Sequence, residues 1–215
     1  MYLGHLAAGL ILKARVREAP LAWLLIATVA SDLLCGALFI AGLESAVVHG
    51  SLVFGHVEAD LGYSHSLLGT LGLALVAALL GARFGSPRIG AALGLAVLSH
   101  YVLDVLSHRP DMPLIGFGAP ADVRLGTNLP LYPWAHYLLE LAWCAIAWAV
   151  YAPGNRRLLF TIIALMALYT NTIFGFAPPP APSNAVFGAS MIAIFGITPA
   201  LLLWATRDET KSLSR

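Results

Sequence analysis

The chain has 215 residues, of which 59% are hydrophobic and 11% are charged, with a formal net charge of +1 at pH 7. A soluble domain carries about 25% charged residues, so this composition excludes an ordinary soluble protein and indicates an integral membrane protein. Basic residues do not alternate with aromatic residues in any stretch, so nucleic acid is not an expected partner. Cys35 and Cys144 fall inside apolar stretches and are expected to pack as small hydrophobic residues.

Seven apolar stretches predict an all-α fold, a polytopic transmembrane helical bundle with about six to seven membrane segments. Six of them have about the length that crosses a bilayer, whereas the first is short and is predicted to be tilted, re-entrant or extended through the basic turn. No internal repeat divides the chain, so residues 1–215 are predicted to form a single domain. The predicted segments lie at about 1–13, 20–43, 64–83, 87–108, 131–152, 156–177 and 184–206.

The basic residues give the predicted orientation. If the chain crosses the membrane seven times, ten of the twelve lysines and arginines fall on one side, which the positive-inside rule makes cytoplasmic. The C-terminus of this predicted multi-pass protein is then cytoplasmic. The loops at 44–63 and 109–130 lie outside. His49 and His56 in the first loop are expected to be solvated, and the proline run at 178–182 to be a stiff connector.

Ionisable residues inside the apolar segments carry the strongest functional signal. His100 and Asp104 are four residues apart, so they share one helix face about 6 Å along the axis, and Asp32 lies near the middle of its segment. Each intramembrane carboxylate costs roughly 2.5–3.5 kcal/mol on insertion scales. Mixed imidazole and carboxylate ligation suits zinc or another borderline divalent ion. The alternative for His100 and Asp104 is a hydrogen-bonded structural pair.

In the predicted orientation, His100 and Asp104 lie in the outer half of the bundle, and four further ionisable residues lie there too. Each of the four has both a functional and a structural interpretation. His65 is either a ligand or an interfacial residue that caps a helix, and His5 is either a ligand or an interfacial anchor. His136 and Glu140, a second pair four residues apart, follow an aromatic patch. Their functional interpretation is an extra ligand or a general base, and their structural interpretation is an interfacial position.

Four short motifs occur in an order that resembles a known family. The bacterial inner-membrane proteins called LexA-regulated metal-dependent hydrolases have Gly-His, Pro-Asp-x-Asp, Thr-His-Ser-Leu and Ser-His-x-x-x-Asp in this order. Here the motifs are Gly4-His5-Leu6, Ser31-Asp32, Ser64-His65-Ser66-Leu67-Leu68 and Ser99-His100-Tyr101-Val102-Leu103-Asp104. Ser31 and Leu34 stand where the family has its proline and its second aspartate. The resemblance covers roughly residues 1–110, and it implies that the metal ligands are His5, Asp32, His65, His100 and Asp104.

A second resemblance, in ligand order alone, adds His108 to the implied ligands. Zinc-dependent phospholipase C enzymes are soluble helical proteins in which three zinc ions act on phosphodiesters. On a straight helix His100 and His108 would be about 12 Å apart, so one ion would bind both only if the helix breaks before Pro110. The resemblance therefore implies one to three ions. The matching order in this chain is His5, Asp32, His65, His100, Asp104, His108, His136 and Glu140.

These observations predict a divalent metal site, with Zn²⁺ as the expected ion and Mn²⁺ as the alternative. The predicted function is metal-dependent hydrolysis of a phosphoester or lipid-linked substrate that enters from the bilayer. Glu140 or His136 would be the catalytic base or an extra ligand, and Arg109 or Asp111 would lie at the mouth. The alternatives are an ion- or proton-coupled transporter that uses the same groups, a haem protein with two histidine ligands, and a non-catalytic membrane scaffold.

Overall fold

The structure, a computed structural model, describes residues 1–48, 57–119, 122–176 and 183–212. This part of the chain is mostly helical, as predicted. His49, His56 and the proline run at 178–182 lie outside the described residues. The helices are α1 Leu3–Arg15, α2 Leu21–Thr28, α3 Ala30–Ala41, α4 Leu67–Phe84, α5 Pro87–Ser107, α6 Pro133–Tyr151, α7 Arg156–Phe174, α8 Asn184–Ala205 and α9 Arg207–Ser212.

Two short antiparallel strand pairs lie in the connections between the helices. Strand β1 (Ser45–Val48) pairs with β2 (Val57–Asp60) in the connection between α3 and α4, with Ser45 opposite Asp60. Strand β3 (Met112–Pro113) pairs with β4 (Arg124–Leu125) after α5. The amide of Ala46 donates to the side-chain oxygen of Asn184 at 3.1 Å, which ties the first hairpin to the start of α8.

Among the described helices, four are long and apolar enough to cross a membrane: α4, α5, α7 and α8. Helices α2 and α3 together form a fifth candidate span, bent by 53° at the break between them. Four to five spans indicate a membrane protein, but the predicted six to seven segments are not confirmed. Helix α1 has only 13 residues. Helix α6 has 19 residues but carries His136, Glu140 and three tryptophans, which lower its mean hydropathy.

The predicted second segment is interrupted at Val29, where the backbone leaves helical geometry (φ −115°, ψ 12°). As a result, α2 ends at Thr28 and a new helix begins at Ala30. The last carbonyls of α2 therefore lack intrahelical donors, and the first amides of α3 lack intrahelical acceptors. Asp32 lies in the first turn of α3, where the helix dipole favours a negative charge.

Helix α5 begins and ends as its sequence dictates. The Ser86 hydroxyl accepts a hydrogen bond from the Ile89 amide at 3.2 Å, and Pro87 occupies the first turn, where its missing N–H is harmless. The helix ends at Ser107, three residues before Pro110, and His108 already has extended backbone (φ −105°, ψ 164°).

Helices α3 and α8 approach closely through two facing glycines, Gly36 and Gly188. A Cβ atom on Gly188 would lie 2.4 Å from the carbonyl oxygen of Gly36, and a Cβ atom on Gly36 would lie 2.8 Å from that of Gly188. Small residues that allow backbones to approach are typical of membrane helix interfaces. This contact holds α8 against the helix that carries Asp32.

Gly188→Ala is expected to lower the free energy of unfolding by about 1–3 kcal/mol, the usual cost of overpacking, because its methyl group would collide with the Gly36 carbonyl. Gly196→Ala on the same helix is the matched control, since its added Cβ would meet nothing within 4 Å. Thermal unfolding of the detergent-solubilised variants, followed by circular dichroism, measures both effects. Equal melting temperatures for the two variants would contradict the close contact.

Candidate metal centre

Five of the predicted metal ligands gather in one buried group, called here the His/Asp cluster. None of the five residues exposes more than 7% of its surface. They form two triads that share His100, and within each triad one potential ligand atom per residue lies within 4.8 Å of the others. The triads are His5 with His100 and Asp104, and Asp32 with His65 and His100.

The distances within the His/Asp cluster fit coordination of a metal ion. Nε2 of His100 lies 2.9 Å from Oδ2 of Asp104, and Nε2 of His5 lies 3.0 Å from Oδ1 of Asp104. Nε2 of His65 lies 3.2 Å from Nε2 of His100 and 3.5 Å from Oδ1 of Asp32. Two ligand atoms on one tetrahedral zinc ion are about 3.3–3.5 Å apart, because each lies about 2.0–2.2 Å from the metal.

The backbone of α2 determines which nitrogen of His100 carries a proton. Nδ1 of His100 lies 2.8 Å from the carbonyl oxygen of Thr28. A carbonyl can only accept, so Nδ1 donates, and in the neutral ring Nε2 presents a lone pair to Asp104 and His65. The helix break at Val29 leaves this carbonyl available. This contact could not be predicted from the sequence, because a backbone carbonyl has no sequence signature.

A second hydrogen-bonded chain orients His65. The Ser64 hydroxyl donates to Oε2 of Glu44 at 2.7 Å and lies 2.7 Å from Nδ1 of His65. Because the single hydroxyl hydrogen points to the carboxylate, Nδ1 of His65 must donate, and in the neutral ring its Nε2 presents a lone pair to the cluster. Oε1 of Glu44 accepts the amides of Tyr63 and Ser64 at 2.7 Å and 2.8 Å. Carboxylates that support metal-binding histidines in this way are common.

Glu44 is the first residue of the outer loop predicted at 44–63, and no sequence pattern assigned it to the site. The structure buries its side chain, with 3% of the residue exposed. A serine directly before a predicted ligand, Ser64 before His65, is the signal that could have pointed to an acidic partner. It would not have identified Glu44, which lies 20 residues away.

The two orienting contacts leave the centre of the cluster rich in acceptors. The two Nε2 lone pairs of His65 and His100 face each other beside the carboxylates. Oδ2 of Asp32 and Nδ1 of His5 are buried and have no hydrogen-bond partner among the described residues. The amino group of Met1 donates to Oδ1 of Asp104 at 2.7 Å. Buried polar atoms without hydrogen-bond partners are costly, and imidazole nitrogens with carboxylate oxygens are a typical zinc-binding set. The His/Asp cluster can therefore hold a metal ion.

His108 joins the edge of the cluster because α5 ends before it. Its Nε2 lies 3.6 Å from Oδ1 of Asp104, and its Nδ1 lies 3.2 Å from Oδ1 of Asp111. Its ring centre is 6.3 Å from that of His65. The helix break that the sequence required for His100 and His108 to approach one ion is present at Ser107. Asp111 orients the His108 ring from behind.

The structure does not bring His136 and Glu140 into either triad. Oε1 of Glu140 accepts the amide of Gly4 at 2.8 Å, so it provides an acceptor for the first turn of α1. Nε2 of His136 lies 3.7 Å from Oε2 of Glu140. Trp143 also contacts α1, donating from Nε1 to the Gly4 carbonyl at 3.0 Å. These contacts position the helix that carries His5, and the catalytic role of His136 and Glu140 stays a prediction.

A cavity of about 520 Å³ gives access to the cluster. Asp32, His65 and Asp104 line one end of it, and His108, Arg109 and Asp111 line it as well. Neither His136 nor Glu140 belongs to its lining.

The segment after β3 covers the approach to His65. The carboxylate of Asp122 accepts the amides of Ile115 at 3.0 Å and Gly116 at 2.5 Å, and these hydrogen bonds lower the pKa of Asp122. Gly116 has φ +69°, and a Cβ atom there would lie 1.9 Å from the carbonyl oxygen of Gly62. Only glycine fits this position, so the segment is held tightly against the residues that precede His65.

No protein-family model, curated protein or solved structure matches this chain. The resemblances to the LexA-regulated hydrolases and to zinc-dependent phospholipase C stay predictions.

Glu44→Gln is expected to weaken zinc binding roughly 10- to 100-fold, the usual effect of removing a supporting carboxylate. The side-chain amide of the new glutamine can donate to the Ser64 hydroxyl, which could then donate its own hydrogen to Nδ1 of His65. Nδ1 would no longer be held as a donor. Competition with a chromophoric zinc chelator measures the affinity, and nitrogen-15 NMR of the histidine rings measures the tautomer.

Glu58→Gln, on strand β2 of the hairpin that follows Glu44, is the matched control and is expected to bind zinc as the unmodified protein does. Circular dichroism checks that both variants keep their helices. An unchanged zinc affinity and an unchanged His65 tautomer in Glu44→Gln would refute the proposal that hydrogen bonds from Glu44 through Ser64 orient His65.

Proposed function

We propose that this protein is a membrane-embedded metal-dependent hydrolase that acts on a phosphoester or lipid-linked substrate. The observation that carries the proposal is the His/Asp cluster, in which three imidazoles and two carboxylates meet inside an apolar helical protein. Carboxylates in such surroundings need compensation. The orientation of His65 and His100, with Nε2 toward the cluster, supports a cation as the compensating group.

Zn²⁺ is the proposed ion and Mn²⁺ the alternative, because imidazole and carboxylate ligands suit a borderline divalent metal. The proposed ligands are the five residues of the His/Asp cluster, and the sharing of His100 between the two triads supports one ion or two neighbouring ions. A divalent ion in such a site supplies Lewis acidity, lowering the pKa of a water ligand and polarising the scissile group.

The chain's own residues orient the ligands and handle protons. Thr28 and Ser64 hold the rings of His100 and His65 with Nε2 inward. His108 lines the cavity with Asp111 at its Nδ1, so its Nε2 is the proposed site that accepts a proton during the reaction. The role of general base for Glu140 or His136 is the alternative, as is a role of His108 as a further ligand.

The proposed location is a bacterial inner membrane, with the C-terminus in the cytoplasm. The helices that are apolar enough to span a membrane support a multi-pass protein. The basic residues support this orientation if the chain crosses the membrane seven times, which would place ten of the twelve lysines and arginines on one side. The His/Asp cluster would then lie in the half of the bundle nearer the outer face. A substrate that reaches it from the bilayer is consistent with that depth.

The alternative function is an ion- or proton-coupled transporter. A proton or ion path requires polar groups along the whole depth of the membrane. Lys13 lies at the end of α1 opposite His5, and it donates hydrogen bonds to the backbone carbonyls of Arg17 and Ala19. Its ammonium group therefore caps the backbone of the turn and does not extend the polar groups of the cluster into a path. The gathering of buried carboxylates and imidazoles in one cluster favours hydrolysis over transport.

Metal analysis tests the site directly. The detergent-purified protein is expected to contain about one or two equivalents of zinc per chain, and the double variant His100→Ala/Asp104→Ala is expected to lose them, because both triads need His100. Asp122→Asn, in the segment after β3, is the control and should keep its zinc. A folded native protein that contains no metal and binds neither zinc nor manganese would refute the hydrolase and favour the transporter.

Hydrolysis of phosphodiester and lipid phosphoester substrates by the zinc-loaded protein separates the proton-transfer candidates. His108→Ala is expected to lower kcat by about 10²- to 10⁴-fold, the usual contribution of acid–base catalysis, while the zinc content stays unchanged. His136→Ala is the comparison and is expected to have a smaller effect on kcat. Loss of zinc from His108→Ala would instead make His108 a ligand, and an equal loss of kcat in both variants would contradict the assignment.

A further inference from the structure

Beyond the His/Asp cluster, the walls of the cavity are mostly apolar and include several aromatic rings. Phe39 of α3 and Phe187 of α8 stack with ring centres 5.7 Å apart, and both line the cavity. Leu61, Met191 and Phe195 extend the same surface. The cavity therefore has two chemically different ends, one formed by carboxylates and imidazoles and the other by hydrocarbon side chains.

Among the described residues, the cavity lining includes side chains of α7 and α8 that are exposed. Tyr2 also lines the cavity and lies near both helices, with its ring centre 4.7 Å from that of Tyr169 on α7 and 5.5 Å from that of Phe195 on α8. Leu168 of α7 and Ile194 of α8 both line the cavity, yet 75% and 46% of their surfaces are exposed. Helix α8 packs chiefly against α3 and much less against α7. Both α7 and α8 are apolar enough to span a membrane, so large aliphatic side chains exposed on them are expected to face lipid. One cavity is thus lined both by side chains expected to face lipid and by the carboxylates and imidazoles of the cluster.

The length of the apolar wall matches a lipid chain. From Phe187 to Phe195 the wall follows α8 for about 12 Å, close to the roughly 15 Å of hydrocarbon in one bilayer leaflet. The cavity volume of about 520 Å³ is in the range of pockets that hold small ligands. At the polar end Arg109 contributes a guanidinium, a group that suits the oxygens of a phosphate.

We propose that this cavity binds an alkyl chain of a membrane lipid, which enters between α7 and α8 and presents a phosphate-ester head group to the His/Asp cluster. The head-group chemistry rests on the proposed hydrolase function. The proposed contacts with the alkyl chain do not rest on that function, because the wall that makes them consists of Phe39, Phe187, Met191 and Phe195, none of which is ionisable. The two parts of the proposal can therefore fail separately.

Hexadecyl phosphate is the probe for the complete ligand, and native mass spectrometry of the full chain released from detergent measures its binding. One molecule is expected to bind per chain, at least about 100-fold more tightly than butyl phosphate, because burial of the longer chain adds apolar contacts. Equal affinities for hexadecyl and butyl phosphate, or displacement by inorganic phosphate at the same concentration as by hexadecyl phosphate, would show that the site takes the phosphate alone. Either result would overturn the proposal.

A filled cavity provides the second test. Ser190 lines the cavity on α8, so Ser190→Trp is expected to weaken hexadecyl phosphate binding tenfold or more. Ala193→Trp is the matched control, since Ala193 is exposed on the same helix and does not belong to the cavity lining. Equal binding by the two folded variants would overturn the proposal. The comparison of chain lengths in the unmodified protein holds even if Ser190→Trp does not fold.

Hexadecanol and protein stripped of metal with a chelator separate this proposal from the proposed function. Retained hexadecanol binding that Ser190→Trp abolishes would support the chain site even if no metal or hydrolysis is found. Zinc binding and hydrolysis without any dependence on chain length would overturn the chain site and leave the hydrolase proposal intact.

Discussion

Two buried carboxylates, Asp32 and Asp104, are the constraint on which the rest of the structure depends. At membrane depth each would cost roughly 2.5–3.5 kcal/mol if uncompensated, so the fold must surround them with partners. It does so with histidines from three separate elements: His5 from α1, His65 from the connection before α4, and His100 from α5. The helical arrangement that buries apolar surface is thus also the one that gathers these groups.

The cluster is built where helices begin, end or break. The break at Val29 supplies the Thr28 carbonyl to His100 and places Asp32 in the first turn of α3. The end of α5 at Ser107 turns His108 back toward Asp104. Irregular backbone at membrane depth is tolerated only where protein groups satisfy it. The side chains around the site therefore satisfy the backbone as well as the carboxylates, and a metal would add to that arrangement.

The sequence predicted the parts of the site that depend on local spacing. His100 and Asp104 share a helix face at i, i+4, and the order of the other histidines and Asp32 indicated one common cluster. It did not predict contacts that depend on tertiary packing, such as Glu44 with Ser64. The predicted six to seven spans are confirmed only as four to five among the described residues, because α1 has 13 residues, α6 carries polar groups and a bend of 53° separates α2 from α3.

Helix α3 links the chemistry of the cluster to the wall of the cavity. It carries Asp32 in its first turn and Phe39 two turns later, so the ligand and the apolar wall keep a fixed spacing. The adjoining part of the wall belongs to α8, which contributes no carboxylate or imidazole and is held to α3 through Gly36 and Gly188. Substitutions on the cavity face of α8 can therefore change the shape of the apolar wall of the cavity without altering the proposed metal ligands. The fold thereby separates the residues that would bind the alkyl chain of a lipid from those that would act on its head group.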